Sequence, residues 1–311
     1  MNLNPPNNKY LYGYKSFFLN FVNMYNNNLL PNKIIFSGNK GIGKSTFVYH
    51  LINYIFSVNE NDKYNINENT ILDNNQSYKL ITKNSHPNFF LISNDDDKNN
   101  IQISKIREMI NFTNKSSFNN EPKIILIDNV EYLNINSINA LLKAIEEPNN
   151  NLYFFLIHNN KIKILDTLNS RCIKFNFFLD SSKKDEIIKK LLDDNFYNNL
   201  NNDYRNIYNS PGDLFLLFDF FTNNEIDPSI SITDLLKLII SKKLFKKDIF
   251  IKNNLTFFIE LYFNKKINIF NSKDEVYSLY KYFLSKISDC NKYNLDIENV
   301  LIEFNGKIIN G

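Results

Sequence analysis

The chain has 311 residues, 43% of them hydrophobic, with a formal net charge of +3. That length supports two or three modest domains, and so mild a charge excludes a protein that grips nucleic acid by bulk electrostatics alone. No run approaches 18 uninterrupted apolar residues, MNLNPPNNKY lacks a signal core, and two cysteines make neither a disulfide framework nor a zinc cage, so we expect a cytoplasmic protein without membrane contact.

The composition is rich in Asn, Ile, Lys, Phe and Tyr and poor in Ala, Gly and Arg. Arginine occurs only at Arg107, Arg171 and Arg205, and alanine only at Ala140 and Ala144. Where a chain avoids a residue almost everywhere, each retained copy points to a need for it.

In chain order, residues 34–36 form a short apolar strand that enters a glycine-rich turn. A helix follows, with Phe47, Val48, Leu51, Ile52 and Ile55 at helical spacing. Residues 57–84 are Asn-rich without clear periodicity and read as loop or weak helix. A second strand is expected over 87–93. After it comes a helix whose face is marked by Ile103, Ile106, Met109 and Ile110. Residues 124–127 make a third strand, running into Asp128. The next helix, over 135–148, places Ile138, Leu141, Leu142 and Ile145 on one face, with Asn136 as its cap and Pro148 as its stop. Strands over 152–160 and 172–177 complete the set. Strands alternating with helices predict an α/β domain with a parallel sheet covered on both faces. From residue 181 onward only helices are expected.

GNKGIGKST matches the pattern G-x-x-x-x-G-K-[ST] at Gly38, Gly43, Lys44 and Ser45, with Gly41 and Thr46 in the same stretch. Glycines let successive backbone N–H groups curl around phosphate oxygens at a helix start. Lys44 adds a point charge for the terminal phosphates, and Ser45 can ligate Mg²⁺. Asp128, ending the third strand, is expected to hold the same Mg²⁺, or else to cap the strand. A nucleotide, taken to be ATP with Mg²⁺, is the expected ligand. Hydrolysis is another matter. The residue after Asp128 is Asn129, whose amide can position a water but cannot take its proton. Glu131, two residues further on, is expected to point elsewhere.

Residues 138–177 resemble the bacterial clamp-loader ATPases of the AAA+ class, and among them most closely the delta-prime subunits of DNA polymerase III. NALLKAIEEP and LDTLNSRC carry the resemblance, supported by HPNFFLI followed by ISKIREM and, near the end, by NLDIENVLIEF. The likeness is specific over residues 29–177 and weak in the last third. It implies an AAA+ P-loop domain over 1–178, a helical lid over 179–226 and an all-α collar domain over 227–311. It also implies that Arg171, in the Ser-Arg-Cys motif, reaches into a neighbour's ATP site as a finger; a surface salt bridge is the plainer role. Asn160, with Asn159 as the alternative, falls where the family keeps a polar sensor. The implied partners are tau/gamma-type motor subunits and a delta subunit, with primed DNA and the sliding clamp reached through the assembly.

Departures from the family's motors are equally informative. Asn129 stands where a motor keeps glutamate. NSPGDLFLL, residues 209–217, has Asp213 and no lid arginine, and Arg205 is read as an exposed loop charge. The cysteines that often bind zinc are missing from residues 57–84, so no zinc is expected. These features imply a stator that binds ATP with weak or no turnover. The other reading is a motor of tau/gamma type with Glu131 or a neighbour's residue as base. The apolar stripes Leu235, Leu238, Ile239 and Phe258, Leu261, Tyr262 serve either the domain's own core or a partner. Lys105 and Arg107 either meet DNA phosphates or form a solvated face.

Overall fold

A computed structural model of the chain describes residues 4–93, 100–146, 151–160, 162–192, 194–205, 210–269 and 273–309. The chain divides into two compact units, Met1–Ile187 and Ile188–Gly311.

The first unit is built on five parallel strands: β1 Lys33–Gly38, β2 Phe89–Ile92, β3 Lys123–Ile127, β4 Leu152–Asn159 and β5 Ile173–Asn176. Their order across the sheet is β2-β3-β4-β1-β5. Period-two alternation divides the central strands between two cores. Ile34, Phe36, Ile124, Leu126, Phe155 and Ile157 face one layer, with α1 (Lys15–Asn26) and α2 (Lys44–Ser57) packed over it. Ile35, Ile125, Ile127, Phe154 and Leu156 face the other, under α4 (Ile103–Thr113) and α5 (Ile135–Glu146). Burial on both faces explains why these strands read as unbroken apolar runs.

Two local features differ from the sequence expectation, and a third, residues 57–84, agrees with it. Helix α1 was not anticipated, although Phe18, Phe21 and Val22 lie at i, i+3 and i+4 and are its buried face. Residues 57–84, expected as loop or weak helix, are mostly irregular with one short helix, α3 (Gln76–Thr82), held by polar contacts. Asn75 Oδ1 caps it at the Tyr78 N–H (2.7 Å) and also accepts from Asn53 Nδ2 (2.8 Å), while the Glu60 carboxylate takes the Gln76 and Ser77 N–H groups at 2.9 Å each. Helix α5 is capped by Asn134, whose Oδ1 accepts the Ser137 N–H at 2.8 Å, not by Asn136. Pro148, expected as its stop, lies outside the described residues.

The chain passes from the first unit to the second within α7 (Ser181–Leu191), after α6 (Asp166–Asn169). Among the described residues the second unit contains only helices: α8 Asp194–Asn199, α9 Asn202–Arg205, α10 Pro211–Asn223, α11 Ile232–Ser241, α12 Leu244–Lys247, α13 Ile249–Ile269, α14 Lys273–Tyr293 and α15 Glu298–Phe304. Lys243 at φ +52° separates α11 from α12 within what reads as one amphipathic run. Leu235, Ile239, Phe258, Leu261 and Tyr262 are buried in this unit's own core, so both stripes serve it, with Leu238 half-buried. No helix among the described residues is long and apolar enough to cross a membrane.

Candidate nucleotide site

The turn between β1 and α2 has the backbone its glycines predict. Gly41 and Gly43 have φ of +78° and +89°, a region costly to any residue with a Cβ. Gly38 serves a different need: a Cβ there would stand 2.8 Å from the Phe177 carbonyl oxygen. Tyr14 braces the turn by donating its hydroxyl to the Ile42 carbonyl at 2.8 Å. Helix α2 opens at Lys44 with no side-chain cap on its first N–H groups, so an anion is their natural partner.

Lys44 is buried, and its ammonium donates to Gly38 O (2.9 Å), Asn39 O (2.7 Å) and Asn159 Oδ1 (2.9 Å). Burial pushes its pKa down to about 8 against the opposing pull of Glu131 and Asp128. The Ser45 hydroxyl faces both oxygens of Asp128 at 3.4 Å. Burial pushes the Asp128 carboxyl up, opposed by the Ser45 hydroxyl and Lys44. A half-desolvated carboxylate opposite a hydroxyl is a donor set suited to a hard cation. Thr46 follows Ser45 in the first turn of α2 and is half-buried.

Glu131 corrects the sequence reading: its carboxylate turns into the site. Asn129 takes the left-handed conformation (φ +62°, ψ +62°), which Asn tolerates, and a 3₁₀ turn over Val130–Tyr132 follows. Glu131 then accepts from Asn159 twice, from Nδ2 at 2.7 Å and from the backbone N–H at 3.3 Å. Asn159 Nδ2 also donates to Asn129 Oδ1 at 2.6 Å. Asn159 thus joins Lys44 to the end of β3. Asn160 sits differently, with Oδ1 2.6 Å from the Ser37 hydroxyl, which also faces His158 Nδ1 at 2.9 Å.

Arg171 is on the surface and takes no part in this cluster. Its Nε donates to Glu146 Oε1 (2.6 Å), and its Nη1 to Thr167 O (2.9 Å) and Ser170 Oγ (3.4 Å). Arg205 is not a loose loop charge. It donates to the carbonyls of Leu200 (2.9 Å), Tyr197 (2.8 Å) and Asn198 (2.5 Å), closing the C-terminal end of α8. Asp213 is spent on the cap of α10, where Ser210 Oγ donates to it at 2.6 Å. Lys105 donates to Ser93 O at 3.0 Å, whereas Arg107 is exposed. Among the described residues, no three of His, Cys, Asp and Glu gather as a metal cluster would.

Residues 13–180 match the family model described as DNA polymerase III, delta subunit. Curated relatives are all DNA polymerase III subunit delta' proteins in the following cases. That of Buchnera aphidicola subsp. Baizongia pistaciae is 27% identical over 73% of this chain and 63% of its own length. That of Buchnera aphidicola subsp. Schizaphis graminum is 33% identical over 37% of this chain and 38% of its own. That of Pseudomonas aeruginosa is 28% identical over 31% of this chain and 29% of its own. The matched regions therefore span less than two thirds of these relatives. Among solved structures, the chain is similar to a DNA polymerase III gamma subunit-related protein of Thermotoga maritima (TM-score 0.38, 15% identity, 86% of this chain and 75% of that one). It is also similar to the RuvB Holliday junction branch migration motor of the same organism (TM-score 0.42, 14% identity, 76% and 80%). With the family match covering more than half its length, the chain belongs to the delta-prime family of DNA polymerase III clamp-loader subunits.

Proposed function

We propose that the chain holds ATP at residues 38–46 with little or no hydrolysis of its own and acts in trans, through Arg171, on the ATP site of a neighbouring motor. The observation that carries this reading is a complete phosphate loop combined with Asn129 directly after Asp128. An amide in that position accepts no proton from an attacking water. Ser45 and Asp128 are the residues that would hold Mg²⁺, which neutralises phosphate charge when bound. Lys44 would exchange its two carbonyl partners for the terminal phosphates. Asn159 then reports that exchange to Asn129 and Glu131 through bonds that already exist, so we assign the polar sensor to Asn159 rather than Asn160. Arg171 suits a finger because a guanidinium is planar and permanently charged.

The proposed partners are tau/gamma-type motor subunits and a delta subunit. Primed DNA and the sliding clamp are reached through that assembly, in the cytoplasm. Residues 179–226 are proposed as the lid and 227–311 as the collar. A second reading, a motor in its own right, draws on the inward-turned Glu131 carboxylate.

DNA-stimulated ATP turnover discriminates the two. The chain alone is expected to be silent. In a mixture with its motor and delta subunits, Arg171→Ala is expected to lower turnover by about tenfold or more, as for loss of a finger. Substantial turnover by the isolated chain would establish the motor reading instead. An unchanged mixture would leave Arg171 as a surface charge.

A further inference from the structure

We infer that Glu146 is a positioning residue for Arg171, fixing the guanidinium so that its outer edge faces away from this chain. This inference rests on the proposed finger role and adds to it the device that aims the finger.

Arg171 is held at three points that only a planar fork can satisfy together. Glu146 Oε1, from the last residue of α5, takes Nε at 2.6 Å. The Thr167 carbonyl and Ser170 hydroxyl, from α6 and its C-terminal end, take Nη1 at 2.9 and 3.4 Å. An ammonium in this place has no second nitrogen with which to span α5 and α6. Among the described residues nothing bonds to Nη2, which leaves two N–H donors for a phosphoryl group. A carboxylate that gripped both Nε and Nη2 would cover that edge; this one grips Nε alone.

The pair also has little claim to a purely stabilising role. Its side chains are 38% and 53% exposed, and ion pairs so open to water add little to folding. Holding a long side chain in one orientation is a different benefit: it removes the entropy that a free arginine loses each time it enters a neighbour's site. Glu146 is the last residue of α5, whose Ile138, Leu141 and Ile145 are buried under the sheet, so the finger is tied to a firmly packed helix.

The experiment compares wild type, Glu146→Ala, Glu146→Gln, Arg171→Ala and the double Ala variant in the reconstituted loader. It reads DNA-stimulated ATP turnover, with assembly checked by size-exclusion chromatography. Glu146→Ala is expected to lower kcat about three- to tenfold with KM for ATP unchanged. Glu146→Gln, which still accepts from Nε, is expected to recover part of the loss. In the Arg171→Ala background, adding Glu146→Ala is expected to change nothing, because the two act as one unit. A rise in kcat with Glu146→Ala would overturn the inference by showing that the carboxylate restrains the arginine. No change in kcat, or a loss that follows failed assembly, would overturn it too. Where Arg171→Ala itself has no effect, the finger reading falls first; where it has a large effect and Glu146→Ala none, only the positioning role falls.

Discussion

Lys44 and Arg171 are both cations aimed at phosphate under the proposed function, and the chain holds them in opposite ways. Lys44 is buried, with all three ammonium protons spent on Gly38, Asn39 and Asn159, and burial brings its pKa to about 8. Arg171 is held from one side, near water, by the Glu146 carboxylate. The difference follows from who is served. A site for the chain's own nucleotide can be enclosed and tuned by desolvation. A residue that must enter another subunit's site has to keep its charge and its reach while exposed.

The largest expected effect tests the enclosed half by acid. His50 gives Nε2–H to the Asn8 carbonyl (3.1 Å) and meets the Tyr64 hydroxyl at Nδ1 (2.8 Å), and its ring is fully enclosed, so burial disfavours the charged form. His86 accepts the Asn88 N–H at Nδ1 (3.3 Å) and stacks on Phe56 with centroids 4.0 Å apart. Burial pushes their pKa values down to about 3 and about 4. With folded values below the unfolded value near 6.5, the unfolded chain binds more protons in this window. Stability is therefore complete above about pH 6.5 and falls as pH drops toward 4. Denaturant titrations at pH 7.5 and 5 should differ by as much as about 2 kcal/mol for each histidine. His50→Gln and His86→Gln together should remove most of that slope, and a pH-independent midpoint in the wild type would break the argument.

Next in size, Lys44→Ala should weaken ATP binding by the chain alone about a hundredfold, as expected for charged hydrogen bonds worth about 3 kcal/mol. Arg171→Ala should leave that affinity unchanged. In the wild type, affinity should also fall roughly tenfold between pH 7.5 and 9, since an ammonium with pKa about 8 is mostly neutral there. Equilibrium titration with a fluorescent ATP analogue reads all three. Equal losses from Lys44→Ala and Arg171→Ala would erase the contrast between enclosed and exposed cation.

Most of the sheet was legible because β1 to β4 each carry an apolar run bounded by polar residues or a turn, whereas β5 alternates as IKFN; the phosphate loop was legible because its glycines are needed for backbone that other residues avoid. Less legible was whatever depends on a contact between distant segments. Asn20, Asn23 and Asn26 interrupt α1, so its buried face at Phe18, Phe21 and Val22 stands out only once a core is present to receive it. Nothing in the order of residues 128–131 tells that Asn129 turns left-handed, yet that turn is what brings Glu131 to Asn159. The choice between Asn159 and Asn160 likewise depends on which of two neighbours meets Lys44. The plain role considered for Arg171, a surface ion pair, is present in the structure, and it is the geometry of that pair that gives the finger reading its device.

The smallest expected effect bears on why, under the proposed function, the enclosed half binds without turning over. Asn129→Glu restores the carboxylate that a motor carries after its aspartate. Three features of this chain limit the gain. Glutamate at φ +62° costs about 1 kcal/mol more than asparagine, which tolerates that region. The new charge joins Glu131 and an Asp128 carboxylate that is already desolvated. Position 213, in the stretch where a motor has its lid arginine, is an aspartate bound to Ser210. Turnover by the isolated variant should therefore rise by less than about tenfold, with ATP affinity lowered slightly, when followed by phosphate release under saturating ATP and Mg²⁺. Adding Glu131→Gln to relieve the repulsion should raise turnover further if crowding of charge is the obstacle. A motor-like rate from Asn129→Glu alone would show that one amide had been the whole difference between holding ATP and spending it.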